Sequence, residues 1–188
     1  MITREQALKI LHDNMLSQNL RRHCYAVEAV MRSLARRFKK NEDVWGLAGL
    51  IHDADYELTK DDTQNHTKLV INWLREIESH AEIEDAILAH AWGYVDGNPE
   101  PKNQMQWSLY CCDELTGLIV AVALVKPDHK LSSVTVESVL RKWNEKSFAK
   151  GVDRAQIKKC EDMLDIPLPE FIQIALTSMQ SIAPDLGL

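Results

Sequence analysis

Apolar residues recur along most of the chain with the spacing of an α-helix. The clearest stripe stands at positions i, i+4, i+7 and i+11 of one helix face and consists of His23, Val27, Val30 and Leu34. No stretch alternates apolar and polar residues over the length of a β-strand. The pattern therefore predicts an all-α protein, in which His23 points toward the core.

Two segments are apolar on most sides rather than along one stripe. The run from Trp45 to Ile51 is uninterrupted, and the segment from Met105 to Val125 is apolar on nearly every side from Leu115 onward. Because a helix that is apolar all round is normally buried, we expect the second segment to be the central helix of a bundle. Its last run, residues 118–125, is too short to span a bilayer, so we expect no membrane association.

Short polar signals predict where helices begin and end. Capping boxes are expected at Thr3–Gln6 and Ser79–Glu82, with a related cap at Asp153. Pro169 suits a first helical turn, and Gly187 ends the last helix.

The chain changes character near Pro127, without a linker, a repeat or a low-complexity tract. At 188 residues, it is long enough for one large domain. We expect a single helical domain with a core at about residues 20–125 and additional C-terminal helices at about residues 130–188.

Charge and cysteine content narrow the class of protein. The net charge is −6 and the pI about 5.6, without a dense basic run, which argues against general nucleic-acid binding. The four cysteines show no C-x-x-C spacing, so they are expected to be reduced packing residues. The first residues are charged where a signal peptide needs an apolar core. These features predict a cytoplasmic protein.

Two of the seven histidines are followed by aspartate. A dipeptide is short enough to occur by chance, so its context must decide. His12-Asp13 lies in an ordinary amphipathic segment and is predicted to be a surface pair. His52-Asp53 ends the apolar run at Ile51, so both side chains start from a buried helix end and need partners.

Candidate partners are polar residues that interrupt other apolar faces. Asp113 lies inside the predicted central helix, where an unpaired carboxylate would cost several kcal/mol unless a metal or a cation offset it. With His23, His52 and Asp53 it forms a set of two imidazoles and two carboxylates. This donor set suits Mn, Fe, Co, Ni or Zn better than Ca or Mg.

The order of these four residues resembles the HD-domain superfamily of metal-dependent phosphohydrolases. The resemblance runs from about Leu20 to about Val125. It implies a helical HD-domain-like bundle with one or two divalent ions. In the two-metal branch, which includes hydrolases of diadenosine tetraphosphate and of cyclic dinucleotides, two more histidines bind a second ion that an aspartate bridges. His66 and His90 match them and lie on apolar faces, although each could instead be a hydrogen-bonded core histidine.

Further residues are candidates for proton transfer and phosphate binding. Asp55 and Glu57, just beyond Asp53, are predicted proton carriers, or else exposed loop acids. An HD subgroup of unassigned function resembles the chain at Leu115-Thr-Gly117 and Lys146-Ser-Phe-Ala149. This likeness favours phosphate contacts by Lys146 and Arg154 near a helix start, whereas an ordinary surface loop is the alternative. Lys126 is a weaker candidate.

The sequence therefore predicts a metal-dependent phosphohydrolase. Metal-activated water would cleave a phosphate ester or anhydride of a small nucleotide or a related phosphorylated metabolite, with Asp53 bridging or anchoring the ions. The alternative is a non-catalytic HD module that keeps its metal and senses a nucleotide or docks a partner. A metal-free helical scaffold would leave His23 and Asp113 without explanation. Oligomeric state cannot be predicted from the sequence.

Overall fold

The computed structural model describes residues 2–77 and 80–188. These residues form α-helices, two short 3-10 turns and no β-strand, as predicted for an all-α protein. The α-helices are α1 (Arg4–Asn14), α2 (Gln18–Arg37), α3 (Glu42–Ile51), α4 (Tyr56–Thr59), α5 (Lys68–Glu76), α6 (Ala81–His90), α7 (Gln104–Leu124), α8 (Val136–Trp143), α9 (Arg154–Leu164), α10 (Leu168–Ser181) and α11 (Ala183–Leu186).

Helix α7 is the centre of the bundle. It contacts α2, α3, α6, α8, α9 and α10, and most of its apolar side chains are buried. By length and composition α7 could cross a membrane, and it is longer than the apolar run on which the sequence prediction was based. Within the structure, however, 67% of its most apolar window is buried, as is usual for the core helix of a bundle.

Helices α2 and α3 pack closely against each other; α2 carries His23, and α3 ends directly before His52. Gly49 makes this approach possible, because a Cβ at this position would lie 2.9 Å from the backbone oxygen of Val27. Val27, Val30 and Leu34, the predicted stripe of α2, are fully buried. The close contact fixes the ends of both helices relative to each other, and with them the two histidines.

The predicted helix ends agree with the structure wherever it describes them. Thr3 and Gln6 form the capping box of α1, and the Asp153 side chain accepts from the backbone N–H groups of Ala155 and Gln156. Pro169 lies in the first turn of α10, and Gly187 follows α11 in the left-handed conformation. Ser79 lies outside the described residues.

The C-terminal helices belong to the same packed unit as the core. Helix α9 packs on α7, and α10 packs on both α2 and α7. Phe171, Ile172 and Met179 of α10 join one hydrophobic cluster with residues of α2, α3 and α7. All four cysteines are buried free thiols.

Candidate metal centre

Four side chains from three regions of the bundle converge beside the middle of α7. His23 extends from α2, His52 and Asp53 follow the end of α3, and Asp113 lies in the middle of α7. The closest pair is His23 Nε2 and Asp113 Oδ1, at 2.9 Å. His52 Nε2 lies 3.5 Å from the same Asp113 oxygen and 3.6 Å from Asp53 Oδ2. The structure therefore brings together the four residues predicted for the first site.

A second group lies on the other side of Asp53. The Nε2 atoms of His66 and His90 each lie 3.4 Å from Asp53 Oδ1, and they are 3.2 Å from each other. His66 lies two residues before the start of α5, and His90 is the last residue of α6. The two oxygens of Asp53 thus face different groups, Oδ2 toward His23 and His52 and Oδ1 toward His66 and His90.

All four histidines are held through the ring nitrogen that faces away from the centre. His52 Nδ1 lies 2.8 Å from Gly49 O and His66 Nδ1 lies 2.8 Å from Asp55 Oδ1. His90 Nδ1 bonds to the carbonyl of Ile87, and His23 Nδ1 lies 3.2 Å from Thr116 Oγ1. The carbonyl and carboxylate oxygens beside His52, His66 and His90 only accept, and the Thr116 hydroxyl beside His23 already donates to Asp113 O at 2.9 Å. In each case Nδ1 therefore donates, and a neutral ring presents the Nε2 lone pair to the centre. This is the usual arrangement of metal-binding histidines.

The donor atoms fit divalent metal ions in composition and spacing. In each group, one ligand atom per side chain lies within 4.8 Å of all the others. Atoms bound to one ion at about 2.1 Å are about 3.0–3.4 Å apart, close to the shorter distances in both groups. His52 Nε2 is buried and has no hydrogen-bond partner among the described residues, which is costly unless a ligand completes the site. The mixed nitrogen and oxygen donors suit transition metals.

Without a metal, the same contacts favour protons on the imidazoles. Burial lowers the pKa of His52, but Asp53 and Asp113 outweigh this effect and raise it to about 9. Burial is likewise outweighed at His66, where Asp53 and Asp55 raise the pKa to about 10. Although burial opposes it, the neighbouring imidazoles hold the pKa of the Asp53 and Asp113 carboxyls well below their usual range. Protons and metal ions therefore compete for the same nitrogens.

The two acids predicted as proton carriers are instead used to hold the backbone. The fully buried Asp55 carboxylate accepts from His66 Nδ1 and from the backbone N–H groups of Thr67, Leu69 and Val70. Glu57 Oε2 accepts from the backbone N–H groups of Leu16 and Ser17, ahead of α2. Neither side chain lines the cleft. The geometry thus supports neither a proton carrier nor an exposed loop acid at Asp55.

The three predicted phosphate-binding residues do not line the cleft either. Lys126 follows the far end of α7, and Lys146 is exposed on the loop before α9. The Arg154 guanidinium donates to the carbonyls of Trp143 at 2.9 Å and Phe148 at 2.7 Å, with longer contacts to other carbonyls of this loop. In the structure, Arg154 therefore braces the 143–152 loop and is not among the residues that line the cleft.

The metal centre opens into a cleft of about 570 Å³. Aromatic residues form much of its wall: Tyr56, Trp92, Tyr94 and Tyr110. Glu114, Asp153 and Gln156 also line it. Burial and the neighbouring Asp113 raise the pKa of the Glu114 carboxyl to about 7. The loop after His90 thus forms part of the wall at Trp92, Gly93 and Tyr94.

Sequence reasoning did not select Glu114 or the tyrosines. Glu114 could have been found, because it is a second carboxylate on a largely apolar helix. The tyrosines carry no comparable signal, since tyrosine is found both in cores and on surfaces.

The remaining histidines lie away from the centre. His12 is exposed and bonds to the Tyr25 hydroxyl, while Asp13 pairs with Lys9 at 2.6 Å. His129 is exposed, and His80 is partly exposed ahead of α6. His12-Asp13 is thus the surface pair that its context predicts.

The helical bundle and its two groups of histidine and aspartate side chains place the protein in the class of helical proteins with a candidate metal centre. Residues 20–111 match the family model of the HD domain, which supports a relationship with the HD-domain superfamily. The matched segment contains His23, His52, Asp53, His66 and His90 and ends just before Asp113. No curated protein matches the chain.

Proposed function

We propose that the protein is a metal-dependent phosphohydrolase that uses two adjacent divalent transition-metal ions. Its substrate would be a phosphate ester or anhydride of a small nucleotide or a related phosphorylated metabolite. The observation that carries the proposal is the orientation of Asp53, whose two oxygens face separate groups of imidazoles. A carboxylate between two such groups is well placed to act as a ligand shared by two metal ions.

When bound, two divalent ions supply a nucleophile from water at neutral pH and stabilise the charge that develops on phosphoryl oxygens. The residues of the chain would hold the two ions and orient the side chains that bind them. Asp53 would anchor both ions, Asp113 and the histidines at 23 and 52 would complete the first site, and His66 and His90 the second. Because each ring is fixed through Nδ1, little reorganisation is needed when the site is used.

Metal content and phosphate release test this proposal together. Protein prepared without chelators should bind close to two transition-metal ions per chain, and His66→Ala should reduce this to about one. The Mn-loaded protein should then release inorganic phosphate from at least one of a panel of nucleotides, sugar phosphates and p-nitrophenyl phosphate. A single ion at saturating Mn would reject the two-metal site. Two bound ions without any phosphate release would favour the non-catalytic module.

A further inference from the structure

The part of the cleft wall formed by Glu114, Asp153 and Gln156 presents oxygen acceptors rather than cations. Glu114 Oε2 accepts from the Asp153 N–H at 3.0 Å, while its Oε1 has no donor among the described residues. Asp153 uses Oδ1 to cap α9, which leaves Oδ2 free within the same part of the chain. Gln156 donates through Nε2 to Tyr110 O at 2.7 Å. The amide oxygen of Gln156 therefore remains available as a further acceptor.

Charge restricts what can lie between this wall and the metal centre. Asp53 and Asp113 together carry two negative charges, two divalent ions would bring four positive charges, and a phosphomonoester dianion would neutralise the remainder. Every further phosphate would add negative charge near Glu114 and Asp153, and no Lys or Arg side chain from the described residues lines the cleft. Like charges in a partly desolvated site repel each other strongly. A polyphosphate chain therefore suits this cleft poorly.

The aromatic side chains add a second requirement. The rings of Trp92 and Tyr110 lie 5.7 Å apart and are tilted by 48°, and the Tyr94 side chain on the rim is 50% exposed. Aromatic faces beside carboxylates are suited to flat rings and to ammonium groups. Both kinds of group can also donate N–H bonds to the free oxygens of Glu114, Asp153 and Gln156.

We propose that the cleft selects a phosphomonoester whose alcohol part presents N–H donors, and that the Glu114 carboxylate accepts hydrogen bonds from those donors. The phosphate would lie at the metal centre and the donors against Glu114. The donors could belong to an ammonium group or to the edge of a nucleobase such as guanine. This inference rests on the proposed function for its phosphate end, and it excludes nucleoside di- and triphosphates as preferred substrates.

Matched substrate pairs test the proposal with the full-length, Mn-loaded protein. Guanosine 5′-monophosphate is compared with inosine 5′-monophosphate, which lacks the 2-amino group. Phosphoethanolamine is compared with 2-hydroxyethyl phosphate, which lacks the ammonium group. In one of the two pairs, guanosine 5′-monophosphate or phosphoethanolamine should have a kcat/KM at least about 10-fold higher than that of its partner compound. The pair that shows this difference identifies the source of the donors. Guanosine triphosphate should be the poorer substrate than the monophosphate.

The Glu114→Gln variant assigns the preference to this residue. It should reduce the preference to within about 3-fold while retaining two metal ions per chain, whereas Glu76→Gln, an exposed change on α5, should keep the full preference. Equal rates within both pairs, an unchanged preference in Glu114→Gln, or faster turnover of the triphosphate would each overturn the proposal.

Equilibrium binding separates this proposal from the proposed function. Calorimetric titration of the same four monophosphates into the Mn-loaded protein measures selectivity without turnover. Selective binding that depends on Glu114, without phosphate release, would uphold the inference and reject the hydrolase. Hydrolysis of p-nitrophenyl phosphate without selectivity among the monophosphates in either assay would uphold the hydrolase and reject the inference.

Discussion

Asp55 Oδ1 lies 2.8 Å from His66 Nδ1, and the same carboxylate caps the start of α5. One buried side chain therefore determines both the orientation of an imidazole and the position of the helix that follows it. Thr67, between them, adopts the left-handed conformation at φ 73°, which is unfavourable for a β-branched residue. Its backbone N–H bonds to Asp55 and its hydroxyl accepts from Asn98, so these two contacts hold the turn in place.

Asp55→Asn should weaken the second metal site selectively. The amide keeps the size of the side chain but leaves one acceptor oxygen for the four donors that now contact the carboxylate. Loss of such a contact behind a metal-binding histidine lowers metal affinity about 10- to 100-fold. Titration with Mn should show this decrease mainly for one of the two ions, the one that His66 would bind. Asp61→Asn, an exposed change nearby, serves as the control, and equal affinities in both variants would contradict the positioning role.

Asp53→Asn should abolish hydrolysis, whereas Asp13→Asn should not affect it. Asp53 faces both groups of imidazoles, so its replacement affects both sites, and we expect phosphate release to fall by at least about 1000-fold. Asp13 is exposed and pairs only with Lys9 among the described residues. Steady-state phosphate release with metal analysis of both variants checks this. A similar loss in both would show that the metal centre has been assigned to the wrong His-Asp pair.

The stability of the metal-free protein should fall as the pH rises above neutrality. The pKa of His52 is raised from 6.5 to about 9 and that of His66 to about 10, so their stabilising protonation is complete below about pH 6.5 and is lost as the pH approaches 9 to 10. Scanning calorimetry of chelated protein should show Tm decreasing by at least about 5 °C between pH 6.5 and pH 10.

Metal binding at pH 7 should release protons, because a protonated imidazole cannot bind an ion. The heat of Mn binding should therefore change with the ionisation enthalpy of the buffer. The lowered pKa values of Asp53 and Asp113 add stability that is present at neutral and alkaline pH and is lost progressively as the pH falls through and below 3.8, so they do not offset the trend above neutrality. A Tm that is constant from pH 6.5 to 10, or buffer-independent heats, would argue against the protonated cluster.

Arg154→Ala should destabilise the fold rather than remove a substrate contact. The guanidinium donates to carbonyls of the 143–152 loop, and hydrogen bonds that involve a charged group contribute about 1.5–3 kcal/mol. Urea unfolding should show a loss of this size, whereas Lys146→Ala, at an exposed position, should change the free energy of unfolding by less than about 0.5 kcal/mol. Unchanged stability with a lower kcat/KM would instead restore the phosphate-binding assignment.

The sequence allowed prediction of those features that depend on periodicity and on polar residues in apolar surroundings. The stripe on α2 and the apolar segment of α7 predicted buried helices, and His23 and Asp113 could be recognised because they interrupt those surfaces. His66 and His90 were weaker candidates, since a buried histidine commonly has only hydrogen-bond partners. Their convergence on Asp53 depends on how α5 and α6 pack, which local spacing does not encode.

The roles of Asp55 and Arg154 depend on the path of the chain rather than on local composition. Asp55 meets residues 66–70 only because the chain turns back after α4, so its neighbours in sequence suggested an exposed acid. Arg154 near a glycine turn has the composition of a phosphate site, but the loop curls around its guanidinium and takes up its donors. In both cases a charged side chain is satisfied by backbone groups, and sequence patterns do not reveal this.

The position of Asp53 between two groups of imidazoles has a thermodynamic consequence. If each oxygen binds one ion, neither site can fill without affecting the other, because the first ion fixes the carboxylate that the second requires. Such coupling is reciprocal, so an ion that favours the entry of its neighbour is itself retained more tightly once the neighbour is present. Occupancy would then rise cooperatively with metal concentration, and the protein would pass from empty to fully loaded over a narrower range than two independent sites allow.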